Sequence, residues 1–141
     1  FNYSGKPWLT QKYTRSILDI YYGNHPYDGW QGDEDEGQMG AWFVMSALGL
    51  FEMNGGVTEN PEFDLTSPLF SKAVIYLDSI YGEEKIFTIV AKNNSKENIY
   101  IQSANLNGKP LNRTKLKWSD VINGGKLVFE MGNHPNQNWG K

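Results

Sequence analysis

The run Gly32-Asp33-Glu34-Asp35-Glu36-Gly37-Gln38-Met39-Gly40-Ala41-Trp42-Phe43-Val44-Met45-Ser46-Ala47-Leu48-Gly49-Leu50 joins four consecutive acidic residues to a segment that is apolar nearly all round. Its spacing predicts a helix over residues 38–50. A helix without a polar face has to be buried among other helices. Only one other is legible nearby. Pro7 suits a first-turn position, Ile17, Leu18 and Tyr21 supply one face and Gly23 stops it, which predicts a helix over residues 7–22. The helix at 38–50 is therefore expected to find its remaining partners in an upstream part of a longer polypeptide.

Between the two helices, residues 23–37 form a loop rich in Gly, Asp, Asn and Pro that also carries Tyr27 and Trp30. Past residue 52 the apolar period changes to two, predicting strands at 63–66, 73–78, 86–91, 99–107, 114–118 and 126–132. Asn107-Gly108 and Gly124-Gly125 read as tight hairpin turns, and the regular spacing suggests an antiparallel sandwich rather than crossover units. Ser119 to Asn123 reads as one helical turn capped by Ser119. The expected fold class is α+β, with helices first and a small antiparallel β-sandwich after them.

The bulk properties narrow the function. The 141 residues suffice for one ordinary domain, or for the end of one and a small second. With 39% hydrophobic and 14% aromatic residues, the chain offers enough apolar surface to offset chain entropy and reads as globular. A net charge of −3 with scattered lysines leaves no basic stripe for nucleic acid. The lack of cysteine excludes disulfides and thiolate metal sites. No apolar run approaches the roughly 20 residues of a membrane span. His25 and His134 lie far apart, without a zinc spacing, and read as loop or surface residues.

Four like charges beside an apolar helix repel one another and lose solvation, which predicts a raised carboxylate pKa or a bound cation. Function often sits at such places. A purely structural account competes. Asp35 followed by Gln38 matches a capping box, and acids near a helix N-terminus favour its dipole. One cap, however, explains one Asp and not four acids. An EF-hand fails on spacing, because counting from Asp33 puts Gln38 where Gly is required and Val44 where the bidentate Glu is required. An irregular oxygen-ligand site completed from upstream stays open.

Several collinear runs carry a family likeness: Asn2-Tyr3-Ser4-Gly5-Lys6-Pro7-Trp8-Leu9-Thr10-Gln11, Gly32-Asp33-Glu34-Asp35, Gly37-Gln38-Met39-Gly40-Ala41-Trp42 and Ser46-Ala47-Leu48-Gly49. Ser67-Pro68-Leu69-Phe70, Tyr100-Ile101-Gln102-Ser103-Ala104 and Leu127-Val128-Phe129-Glu130-Met131-Gly132 extend it. Together they closely resemble the C-terminal part of glycoside hydrolase family 92, over essentially the whole chain. The resemblance implies a calcium-dependent, inverting exo-α-mannosidase built from a β-sandwich and an (α/α)6 barrel and acting on mannose-terminated glycans. Residues 1–52 would supply the last barrel helices and the acidic active-site loop, and residues 53–141 a C-terminal antiparallel β-domain. The family's Asp-Glu-Asp motif falls on Asp33, Glu34 and Asp35, making Asp35 the general base and Asp33 its supporting carboxylate. Trp30 and Gln38 fall in the same loop as substrate-binding residues. The general acid and the principal Ca2+ ligands are implied to lie upstream. Glu36, where Asn or Gln is common, and the link Phe51 to Asn60 depart from the family pattern.

The expected activity is removal of terminal α-linked mannose, α-1,2-linked by resemblance, by a full-length polypeptide exported to the periplasm or cell exterior. The isolated chain is expected to be inactive, with its apolar helix exposed and inviting dimerisation. The competing expectation is a carbohydrate-binding or structural β-module with Trp118 and Trp139 stacking on sugars. That alternative leaves the helices and the acidic loop without a task.

Overall fold

Pro7 opens helix α1 (Pro7–Tyr21) in the first turn, where its missing N–H has no partner to lose. The computed structural model describes residues 1–78, 80 and 83–141. A short 3-10 turn, Asn2–Ser4, precedes α1, and helix α2 spans Gln38–Leu48. Gly49 ends α2 in the left-handed conformation, its N–H bonding back to Ser46, and a Cβ there would meet Pro68 at 3.0 Å.

Strands follow in chain order: β1 Leu50–Phe51, β2 Glu62–Leu65, β3 Lys72–Leu77, β4 Lys85–Lys92, β5 Tyr100–Leu106, β6 Lys109–Pro110, β7 Lys115–Lys117 and β8 Gly125–Gly132, with helix α3 (Trp118–Ile122) between the last two. They form a three-stranded sheet, β1-β2-β7, and a five-stranded sheet, β3-β4-β8-β5-β6. The α+β expectation holds and each predicted strand lies where the alternation put it. One pairing departs from the antiparallel pattern, since β4 and β8 run parallel with Phe87 opposite Gly125 and Lys92 opposite Glu130. The five-stranded sheet is thus mixed.

Asn107-Gly108 makes the hairpin between β5 and β6, both residues at positive φ, as a two-residue turn requires. Gly124-Gly125 does not join paired strands; it connects α3 to β8. Helix α3 begins at Trp118, one residue earlier than expected, and Ser119 is not its cap. Asp120 reaches back instead to the Lys117 amide at 3.1 Å.

Between the sheets lies a core of Leu65, Phe87, Ile89, Ile101, Leu116, Leu127, Phe129 and Met131, all nearly inaccessible to solvent. Trp139 closes its end, 4% exposed, with its indole N–H donating to the Leu111 carbonyl at 2.9 Å. Trp118 packs against the same core and on Phe63, ring centroids 5.7 Å apart. Trp139 is thus no platform for sugar, and Trp118, half-buried, gives part of its surface to the core, which weakens the β-module alternative.

Of the expected face of α1, Leu18 is buried, Ile17 half-buried and Tyr21 exposed, and most of the buried positions are polar. The buried residues of this helix are Pro7, Gln11, Thr14, Arg15 and Leu18. Gln11 Oε1 accepts from the Ile101 amide at 2.9 Å, supplying a partner to an amide of β5. The Arg15 guanidinium donates to the Pro68 carbonyl at 2.7 Å, Asn94 Oδ1 at 3.0 Å and the Ser95 carbonyl at 3.1 Å. Burial lowers its pKa, and the nearby Asp19 charge opposes that shift. A second junction ties the N-terminal turn to the three-stranded sheet. Asp64, 4% exposed, accepts from Asn2 Nδ2 at 2.9 Å, the Tyr3 hydroxyl at 3.3 Å and Lys115 Nζ at 2.9 Å.

Candidate active site

Tyr22, just past the end of α1, organises the loop that follows. Its ring lies on Trp42 and Phe43 of α2, with centroids 5.5 and 5.3 Å away, and its hydroxyl donates to the Met39 carbonyl at 3.0 Å. An isolated antiparallel bridge to Trp30 closes the loop's neck. Burial raises the Tyr22 pKa, and the negative charge of Glu34 adds to the effect. The hydroxyl is thereby kept as a donor. An aromatic residue at the helix end, directly before the Gly23 stop and the Gly-rich loop, was the available signal for this role.

The acidic residues divide their work. Glu34 turns inward and caps α2, its carboxylate accepting from the amides of Gly37 and, at 3.0 Å, Gly40. Glu34 thus takes the cap that the capping-box reading gave to Asp35. The longer side chain reaches the first-turn amides, and two glycines leave those amides uncovered. Asp35 contributes only its carbonyl, which accepts from the Gln38 amide at 3.2 Å. Asp33, Asp35 and Glu36 are exposed rather than desolvated against the helix. Among the described residues neither Asp33 nor Asp35 makes a side-chain hydrogen bond or ion pair. Asp35 and Glu36 both hold left-handed backbone, at φ 57° and 61°. For residues with a Cβ that conformation costs about 1 to 2 kcal/mol each.

Trp30 is 40% exposed at the neck, and Gln38 stands exposed at the first position of α2. Asp33, Asp35, Trp30 and Gln38 are thus gathered on one loop and helix start, all open to solvent, with no hydrogen bond joining any two of their side chains among the described residues. On α2 itself Ser46 and Ala47 are buried while Val44 is 57% exposed, so part of the apolar surface is uncovered within this chain.

The calcium expectation was tested against the side chains present. Among the described residues no three His, Asp or Glu groups converge closely enough to hold a metal ion. The oxygens of Glu34 are moreover engaged by amides. The residues of this chain do not fit a calcium cage by themselves. No described helix is long and apolar enough to cross a membrane.

Comparison with known proteins places this loop in a wider context. An uncharacterised secreted glycosidase of Arthroderma benhamiae is 31% identical over 140 residues, covering 99% of the chain but 17% of that protein. An inverting family 92 mannosidase of Bacteroides thetaiotaomicron superposes with a TM-score of 0.82 at 37% identity, over 96% of this chain and 17% of the other. A family 92 α-mannosidase of the same organism, solved in complex with mannoimidazole, gives a TM-score of 0.87 at 31% identity over 98% of this chain and 17% of its own. The chain therefore spans less than a fifth of the length of these relatives. The model of the glycosyl hydrolase family 92 catalytic domain matches residues 1–133, nearly the whole chain, and the protein belongs to that family.

Proposed function

We propose that the longer polypeptide of which this chain forms a part is an inverting exo-α-mannosidase that releases terminal mannose, α-1,2-linked, from glycans outside the cytoplasm. The observation that carries the reading is the division of labour in the acidic run. Glu34 satisfies the helix, while Asp33 and Asp35 on either side of it are exposed and have no side-chain partner among the described residues, Asp35 on strained backbone. Carboxylates that the fold does not use, held in a costly conformation, are what a proton-transfer site requires.

Inversion needs a carboxylic acid on the leaving oxygen and a carboxylate about 6.5 to 9.5 Å away that takes a proton from the attacking water. In this reading Asp35 is the base and Asp33 orients the water. Trp30 offers an apolar ring to the sugar's C–H face, and Gln38 offers amide donor and acceptor to its hydroxyls. The acid comes from another part of the polypeptide. A calcium ion would hold sugar hydroxyls on ligands from that other part, and no step assigned to this chain passes through it. Export is supported by the secreted relative.

Azide separates base catalysis from a structural role, because an anion attacks without giving up a proton. In the full-length enzyme Asp35→Ala is expected to abolish hydrolysis, and added azide to restore turnover with β-mannosyl azide as product. Unimpaired hydrolysis, or an α-configured azide, would overturn the assignment.

A further inference from the structure

We infer that the tip of the loop, residues 24–30, is a docking platform for a second pyranose of the glycan, beyond the ring that is released; the inference rests on the mannosidase reading above. Tyr27 is 94% exposed, yet it is not loose. Its ring lies on the His25 imidazole, with centroids 5.3 Å apart and planes inclined by 31°, and its amide donates to His25 Nδ1 at 3.3 Å. Asp28 closes the turn from both sides, accepting from the His25 amide at 3.1 Å and donating its own amide to the His25 carbonyl at 3.0 Å. Gly23 donates to the Gly29 carbonyl at 3.2 Å, and a Cβ at Gly23 would meet the Asp28 carbonyl at 2.4 Å, so the neck admits no side chain there.

Within this chain the ring stays in water and adds little to stability, because hydrophobic stabilisation requires that surface to be covered. A ligand gains, because a platform already ordered loses little entropy on binding. The chemistry of the tip suits a sugar. Since Nδ1 accepts from the Tyr27 amide, the neutral imidazole carries its proton on Nε2, a donor beside an exposed ring. A pyranose offers the complement, a C–H face for the ring and a rim of hydroxyls for the donor. The cavity here, about 500 Å³, is bounded by His25, Tyr27, Trp30 and Gly32. The tip and the proposed base share one loop.

The test is calorimetric titration of the full-length enzyme with an α-mannotrioside linked through sulfur, which is not hydrolysed, and with methyl α-mannoside, which has one ring. Tyr27→Ala is expected to raise the Kd for the trisaccharide about tenfold, the scale of one well-placed aromatic contact, and to shift the Kd for the single ring less than twofold. Tyr27→Trp, which keeps a platform, is expected to retain trisaccharide binding and guards against a folding defect in the alanine variant. Equal weakening toward both ligands, or no weakening toward either, would overturn the platform. Failure of the mannosidase reading shows separately, as unimpaired turnover by the Asp35 variant, while these binding constants still judge the tip.

Discussion

Asp64 and Asp35 are the same side chain placed in opposite circumstances. Asp64 is 4% exposed on β2 and accepts from an amide, a hydroxyl and an ammonium that belong to two other segments, the N-terminal turn and β7. Asp35 is exposed on left-handed backbone, and only its carbonyl is bonded. The first holds the molecule together; the second is held by the molecule. A buried carboxylate must be compensated on every side or it destabilises the fold, whereas one kept free can exchange a proton with a substrate water. The contrast is what supports the proposal of Asp35 as the base: the fold uses one side chain and leaves the other unused.

The comparison breaks most visibly at Asp64. Asp64→Ala removes the carboxylate from the Lys115 ammonium and one of two acceptors from the Asn2 amide. The loss expected in urea unfolding of this chain is about 2 kcal/mol, below the range for a fully buried pair because Lys115 keeps the Tyr3 hydroxyl and some solvent. A loss below about 0.5 kcal/mol would place Asp64 with ordinary surface acids. At Asp35 the ranking of observables reverses. Asp35→Asn is expected to lower turnover of the full-length enzyme by about 100-fold, while the unfolding free energy of the chain moves by no more than about 0.5 kcal/mol. Glu34→Ala stands between them. Loss of the cap is expected to cost about 1 to 2 kcal/mol and to speed amide exchange at Gly37 and Gly40 ahead of the rest of α2.

The smallest effect is a pH slope at the Asp64 cluster. Burial pulls the Lys115 pKa down, but the Tyr3 hydroxyl and Asp64 carboxylate outweigh it and hold the pKa above the ordinary 10.5. A lysine whose folded pKa is raised contributes stability that is complete below the unfolded value and is lost as pH climbs through the folded one. The stability gap between the chain and its Lys115→Met variant is thus expected to be flat up to about pH 10 and to narrow at higher pH, measured by chemical unfolding. A gap that widened with alkalinity would reverse the sign of the coupling.

Much of this was legible in the residues. Apolar periodicity located both long helices and the strands because it reports which side of an element is covered. It does not report which neighbour a strand takes or in which direction, so the parallel pairing of β4 with β8 was invisible. The acidic run announced itself by composition, but the assignment of the cap depended on side-chain reach. Asp35 and Gln38 had the right spacing, while Glu34 had the right length and two bare glycine amides before it. On α1 the buried Leu18 was legible, but the polar part of its buried face was missed for a similar reason. Gln11, Thr14 and Arg15 look like solvent-facing residues until strand amides and loop carbonyls arrive to bond them.

Arg15 has a consequence for working conditions. A latch built from histidine or paired carboxylates would loosen as an acidic compartment protonated it. A guanidinium clasped by carbonyl oxygens has no such sensitivity, because it stays charged across the range in which proteins function. The seam between α1 and the strands is therefore expected to keep its geometry wherever glycans are broken down, from neutral fluid to sour.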